Sequence, residues 1–84
     1  MNLLIIDDDK DLLKLLQLTF EKEYNVVICD SALKVDPSNL YKYDLIILDI
    51  MMPHMDGFEF LERIRSQENP VPVLLLTARD AVTD

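Results

Sequence analysis

The sequence predicts an α/β protein, a parallel β-sheet whose strands are joined by helices, and three observations carry that reading. Four short apolar runs are spaced through the chain, each of a length that suits a strand buried on both faces. After the first and third runs, apolar residues recur at the helical period instead. Those same two runs also end directly in aspartate. Strand and helix alternating over so short a length is the pattern of parallel βαβ units.

Each element follows from its own residues. Leu3–Leu4–Ile5–Ile6 reads as the first strand and stops at Asp7–Asp8–Asp9. From there to Lys22, the spacing of Leu12, Leu13, Leu15, Leu16 and Phe20 predicts a helix. Asp9 suits its N-cap, and Asp11 complements the positive end of its dipole. Val26–Val27–Ile28–Cys29 is the second strand. Between Ser31 and Tyr43, the residues Leu33, Val35, Leu40 and Tyr41 could line another helix. Pro37 must then lie at a helix start or at a break, so this segment reads as a short or broken helix. Leu45–Ile46–Ile47–Leu48 is the third strand, ending at Asp49. Asp56–Gly57 opens a helix carried by Phe58, Leu61 and Ile64, which closes near Gln67. Val71 to Leu76, interrupted by Pro72, is the fourth strand and ends at Thr77.

The 84 residues allow one domain. A formal net charge of −8 argues against gripping nucleic-acid phosphates, and no direct nucleic-acid contact is expected from this chain. Cys29 is the sole cysteine, which excludes an internal disulfide and fits a reducing, cytoplasmic setting. Met1 precedes a short apolar run and then three acids, unlike a signal peptide. No apolar stretch reaches the ~20 residues of a membrane span, so no membrane role is expected.

The chemistry gathers where strands end. In an open parallel sheet, ligands bind outside the carboxyl ends of the strands, near the point where strand order reverses. Asp7 and Asp8 follow the first strand, and Asp49 follows the third. A single aspartate after a strand is more often a turn former or a cap, and Asp9 and Asp11 are read that way. Three carboxylates on one edge are different, because two such charges ~5 Å apart repel by roughly 3 kcal/mol at an effective dielectric near 20. The cluster must be partly protonated or hold a cation. All-oxygen donors with room for water and phosphate suit Mg²⁺.

Three stretches also resemble the receiver domain of bacterial two-component response regulators: Leu3-Leu-Ile-Ile-Asp-Asp-Asp9, Tyr43-Asp-Leu-Ile-Ile-Leu-Asp-Ile-Met-Met-Pro-His-Met-Asp-Gly57 and Val73-Leu-Leu-Leu-Thr-Ala-Arg-Asp80. The resemblance spans essentially the whole chain. It implies a flavodoxin-like, doubly wound parallel sheet in the order 2-1-3-4, a single receiver domain over residues 1–84, and acceptance of a phosphoryl group from a sensor histidine kinase. Asp49 would be the phosphoacceptor, a carboxylate nucleophile and not an enzyme's turnover site. Asp8 would bind Mg²⁺ directly, Asp7 through water, and the Met51 backbone carbonyl would complete the metal shell. Thr77 would be the switch hydroxyl on the phosphoryl oxygen, and Ala78 the small residue that leaves the group room. Pro53 and Gly57 shape the loop after Asp49, His54 is read as incidental, and the side chains of the Met51–Met52–Met55 group are read as loop packing. Cys29 reads as a small buried hydrophobe.

The family pattern continues into a fifth strand, with a Lys-Pro step, and a last helix. Neither follows here, and no lysine comes after Lys42. The expectation is a receiver incomplete at its C-terminus. Ser31 stands where the family often has Gly. The run Thr77–Asp84 resembles receivers that precede a winged-helix DNA-binding domain, which implies transcription regulation by a parent protein. Val73–Leu76 would be left as an unpaired apolar edge, so pairing or segment exchange with a second copy is expected. Two other readings come from the same residues. One is a degenerate receiver that serves only as an interaction module. The other is a Mg²⁺-dependent nuclease of the PIN type, against which the acidic balance speaks.

Overall fold

The four apolar runs form β1 (Asn2–Ile6), β2 (Asn25–Cys29), β3 (Leu45–Asp49) and β4 (Val73–Leu76) in the computed structural model, which describes residues 1–50 and 57–76. All neighbouring strands run parallel, in the order β2-β1-β3-β4. This is the flavodoxin-like order that the resemblance implies. Leu3 of β1 lies opposite Val26 and Leu45, and Ile46 lies opposite Val73.

Side chains alternate across β1, so the sheet has two cores. Leu4 and Ile6 join Ala32, Leu40, Phe60 and Ile64 on one face. Ile5 joins Leu13 and Ile47 on the other. Helix α1 (Lys10–Phe20) covers that second face with Leu13 buried and Leu16 and Phe20 half-buried. Asp9 caps it as predicted, its carboxylate accepting from the backbone N–H groups of Asp11 and Leu12 at 3.1 Å each. Two details differ from the sequence reading. The helix ends at Phe20 rather than Lys22, because the Phe20 carbonyl accepts from both Glu23 and Tyr24 in a closing turn. Leu15 is 59 % exposed, since only one stripe of so apolar a helix can face the sheet.

The fourth strand begins at Val73 and not at Val71. Pro72 has no N–H for the ladder, although its carbonyl still accepts from Ile46 N–H at 3.0 Å. Helix α2 (Gly57–Ser66) buries Gly57, Phe60 and Ile64 and leaves Phe58 exposed. The predicted stripe was rotated, because Phe58 and Phe60 point to nearly opposite sides of a helix and only one can face inward.

Residues 31–43 form two 3-10 helices, Ala32–Lys34 and Pro37–Lys42. Ser31 and Asp36 cap them, and Pro37 opens the second, where its missing N–H costs nothing. Ala32 and Leu40 are buried, whereas Leu33 and Tyr41 face solvent. The tighter three-residue turn and the break at Val35–Asp36 leave about one inward position per helix. Cys29 is half-buried rather than buried, its thiol donating to the Ser31 carbonyl at 3.2 Å. Among the described residues, β4 has no strand on its outer side, and no helix is long and apolar enough to cross a membrane.

Candidate functional site

The strand order places the site. β1 and β3 are adjacent, yet the chain leaves β1 toward β2 on the other side, so the carboxyl ends of β1 and β3 flank a topological switch point. Ile6 is level with Leu48, which brings the residues just beyond them, Asp7 and Asp49, side by side. Backbone bonds hold both ends. Asp7 N–H donates to the Cys29 carbonyl at 3.1 Å, and Ile50 N–H donates to the Leu76 carbonyl at 2.9 Å.

The predicted convergence is present. One carboxylate oxygen from each of Asp7, Asp8 and Asp49 lies within 4.8 Å of the others. Asp7 and Asp49 are buried, at 4 % and 7 % exposure, while Asp8 faces solvent. Burial pushes the Asp7 carboxyl up to about 6, and the negative charges of Asp49 and Asp8 push the same way. A hydrogen bond with the Asp49 side chain adds to this, since it favours the protonated form. The opposing influence is the Asp9 N–H, which donates to Asp7 Oδ1 at 2.9 Å. Among the described residues, the cluster thus crowds three carboxylates onto one point. Its donors are all oxygen, and one side is open at Asp8. That set fits a hard divalent cation which keeps part of its water shell.

Gly57 shapes the far side of the loop after Asp49. A Cβ there would lie 2.7 Å from Ile50 Cα and 3.1 Å from the Asp49 carbonyl oxygen, both unyielding backbone. Gly57 N–H donates to the Ile50 carbonyl at 2.9 Å. Absence of a side chain lets α2 start directly against the strand that carries Asp49. Met51, Pro53 and His54, and the predicted phosphoryl-binding pair Thr77 and Ala78, lie outside the described residues. Sequence reasoning missed a second gathering of charge, Lys10, Lys14 and Lys34 lining one cavity with Asp30. The i, i+4 spacing of Lys10 and Lys14 was a readable signal for two of them.

The sequence matches the response regulator receiver domain family over residues 3–84. The chain belongs to that family. It is 40 % identical over 88 residues to the transcriptional regulatory protein BasR of Escherichia coli, covering 100 % of this chain and 39 % of BasR. The receiver domain of the Francisella response regulator 1452 superposes with a TM-score of 0.84 at 30 % identity, over 96 % of this chain and 69 % of that one. The response regulator TrrA of Thermotoga maritima, solved in complex with Mg(2+)-BeF, gives 0.81 at 31 % identity, over 98 % and 73 %. The chain spans well under half the length of the curated relatives it matches. Membership sets aside the nuclease reading, which rested on the same carboxylates. Receiver domains work in two-component signalling, and phosphoryl acceptance with Mg²⁺ is typical of them.

Proposed function

We propose that residues 1–84 form one receiver domain in which Asp49 accepts a phosphoryl group from a sensor histidine kinase. The observation that carries this is the convergence of Asp7, Asp8 and Asp49 within 4.8 Å at the switch point. In the transfer, an Asp49 carboxylate oxygen attacks phosphorus, the phosphorus–nitrogen bond to the kinase histidine breaks, and the imidazole recovers a proton. Such transfers depend on positioning and charge neutralisation more than on covalent machinery. The β3 backbone, locked to β4 through Ile50, supplies the positioning.

Asp8 and Asp49 would hold Mg²⁺ through their side chains, Asp7 through water and Met51 through its carbonyl. The ion would neutralise charge on the phosphoryl oxygens. Thr77 is assigned the hydroxyl that reads the phosphoryl group, and Ala78 the small side chain that leaves it room. The domain accepts and relays a group rather than turning over a substrate, so it is not an enzyme in the usual sense. Likeness to BasR supports transcription regulation by a longer parent protein in the cytoplasm. Pairing with a second copy would rest on β4, which has no described strand beyond it and whose Leu74 is 51 % exposed.

Intact-mass spectrometry tests the assignment. The chain incubated with acetyl phosphate and Mg²⁺ should gain one phosphoryl group, lost when hydroxylamine cleaves the acyl phosphate. Asp49→Ala should gain none, and Asp8→Asn should label only at much higher Mg²⁺. Undiminished labelling of Asp49→Ala would place the acceptor elsewhere.

A further inference from the structure

A cavity of about 470 Å³ opens between α1 and the edge strand β2, and it shares no residue with the acidic cluster. Leu13 and Ile28 form its floor, and the ammonium-bearing side chains of Lys10, Lys14 and Lys34 stand around it. Asp30 anchors two of these, at 3.7 Å from Lys10 Nζ and 2.7 Å from Lys34 Nζ. The chain has eight basic side chains and a net charge of −8, yet three of the eight meet here against one acid. Local charge is thus about +2 within a molecule that is otherwise acidic. Exposed ion pairs contribute little to folding, so stability alone gives no reason for the third lysine.

The geometry points to a binding site for a small amphipathic anion, an aliphatic or aromatic body ending in a carboxylate or phosphate. The volume falls in the ~300–1,000 Å³ range of ligand clefts, which combine an apolar lining with a few placed polar groups. The apolar body would cover Leu13 and Ile28. The anionic end would meet Lys14, with Lys34 and Lys10 held nearby by Asp30. Lysine stems can lie along apolar surface while their charges reach the rim, so one ligand can use both. An inorganic anion has nothing to place on the floor. A neutral hydrocarbon has nothing to offer the rim. The site lies at the β2 edge, on the opposite side of the sheet from β4.

Titration of the whole chain with octanoate tests this, followed by NMR backbone shifts and calorimetry. Saturable one-to-one binding should shift Leu13, Lys14 and Ile28, and should weaken as salt is raised. Lys14→Glu, a solvent-facing change, should lower affinity about five- to tenfold, and octylamine should not compete. Leu15→Ser removes an exposed apolar side chain elsewhere on α1 and should leave affinity unchanged. Failure of octanoate to saturate would overturn the proposal. So would equal weakening by Leu15→Ser and Lys14→Glu, or equally tight binding of octylamine. Capture of the chain by phosphatidylglycerol vesicles, without saturable octanoate binding, would assign the lysines to a lipid surface and also overturn it.

Discussion

The centre of the sheet and the rim beside it are built on different terms. In β1 and β3, Ile5, Ile6, Ile46 and Leu48 are completely removed from solvent, and each strand is hydrogen-bonded on both sides. In β2 and the two 3-10 helices that follow, Val27, Leu33 and Tyr41 are 46 %, 58 % and 78 % exposed. β2 is paired on one side only, to β1, and in the two 3-10 helices the hydrogen bonds are mostly local, such as Ser31 Oγ accepting from Leu33 N–H and Asp36 accepting from Ser38 N–H. Burial makes the centre rigid enough to place carboxylates against each other. That same burial raises the Asp7 pKa. The rim keeps Asp30, Lys34 and Asp36 at the surface, where their hydrogen-bond partners favour the ionised forms.

The largest expected effect breaks the comparison at its root. Leu48 is fully buried one residue before Asp49, so Leu48→Ala should cost about 2–5 kcal/mol by leaving a cavity in a packed core. Leu33→Ala on the rim should stay within about 0.5 kcal/mol. Denaturant unfolding of both variants measures the contrast. Similar losses would mean that the rim is packed more tightly than its exposure indicates.

The centre was also the part most legible in the sequence. Continuous apolar runs such as Leu45–Leu48 have only one comfortable place, a strand buried on both faces, so their strands lie within a residue or two of prediction. Asp7, Asp8 and Asp49 followed from those strands, because parallel order brings strand ends to one edge. The rim resisted because its form depends on Ser31, Asp36 and Pro37 acting over two or three residues, which leaves no long periodicity to read. Helix rotation was equally hidden. Nothing in the spacing of Phe58, Phe60 and Leu61 says which faces inward until Gly57 is seen pressed against Ile50. The groove's third lysine, Lys34, comes from the rim and had no signal in the sequence.

The next effect separates the two regions by pH. Asp7 has a folded pKa of about 6 against an ordinary 3.8, so the folded protein binds the proton more tightly. Its contribution to stability is fully present below the unfolded value and is lost as pH rises through 6. Over that window, the metal-free protein should lose up to about 3 kcal/mol from this group, at 1.36 kcal/mol per pKa unit. Asp7→Asn removes the dependence while keeping an oxygen for the Asp9 N–H. Unfolding curves at pH 4.5 and 7.5 should therefore show the variant gaining on the wild type as pH rises. Asp30 on the rim behaves oppositely. Its hydrogen bond and charge pairing with Lys34 hold its carboxyl below the usual range, so its contribution is present at neutral pH and fades on acidification. A wild type that stabilises relative to Asp7→Asn between those two pH values would contradict the environment described for Asp7.

The smallest effect tests whether the rim is separable from the site. Ser31 Oγ accepts from Leu33 N–H at 3.1 Å and begins the first 3-10 helix. Replacing it by alanine leaves that donor to water, and a cap of this kind is worth about 0.5–1 kcal/mol. The Ser31 carbonyl still accepts from Lys34 N–H and from the Cys29 thiol, so the chain keeps its path around Ala32. Ala32 belongs to the buried cluster that includes Ile6 and Leu48, the residues directly preceding the two buried acids. If the centre is as rigid as its burial implies, that loss should remain local. Ser31→Ala should then lower the unfolding midpoint slightly and leave Mg²⁺ affinity, measured by titration, at the wild-type value. A shift in Mg²⁺ affinity would show that the acids' positions depend on how Ala32 packs beneath them, and that rim and centre move as one body.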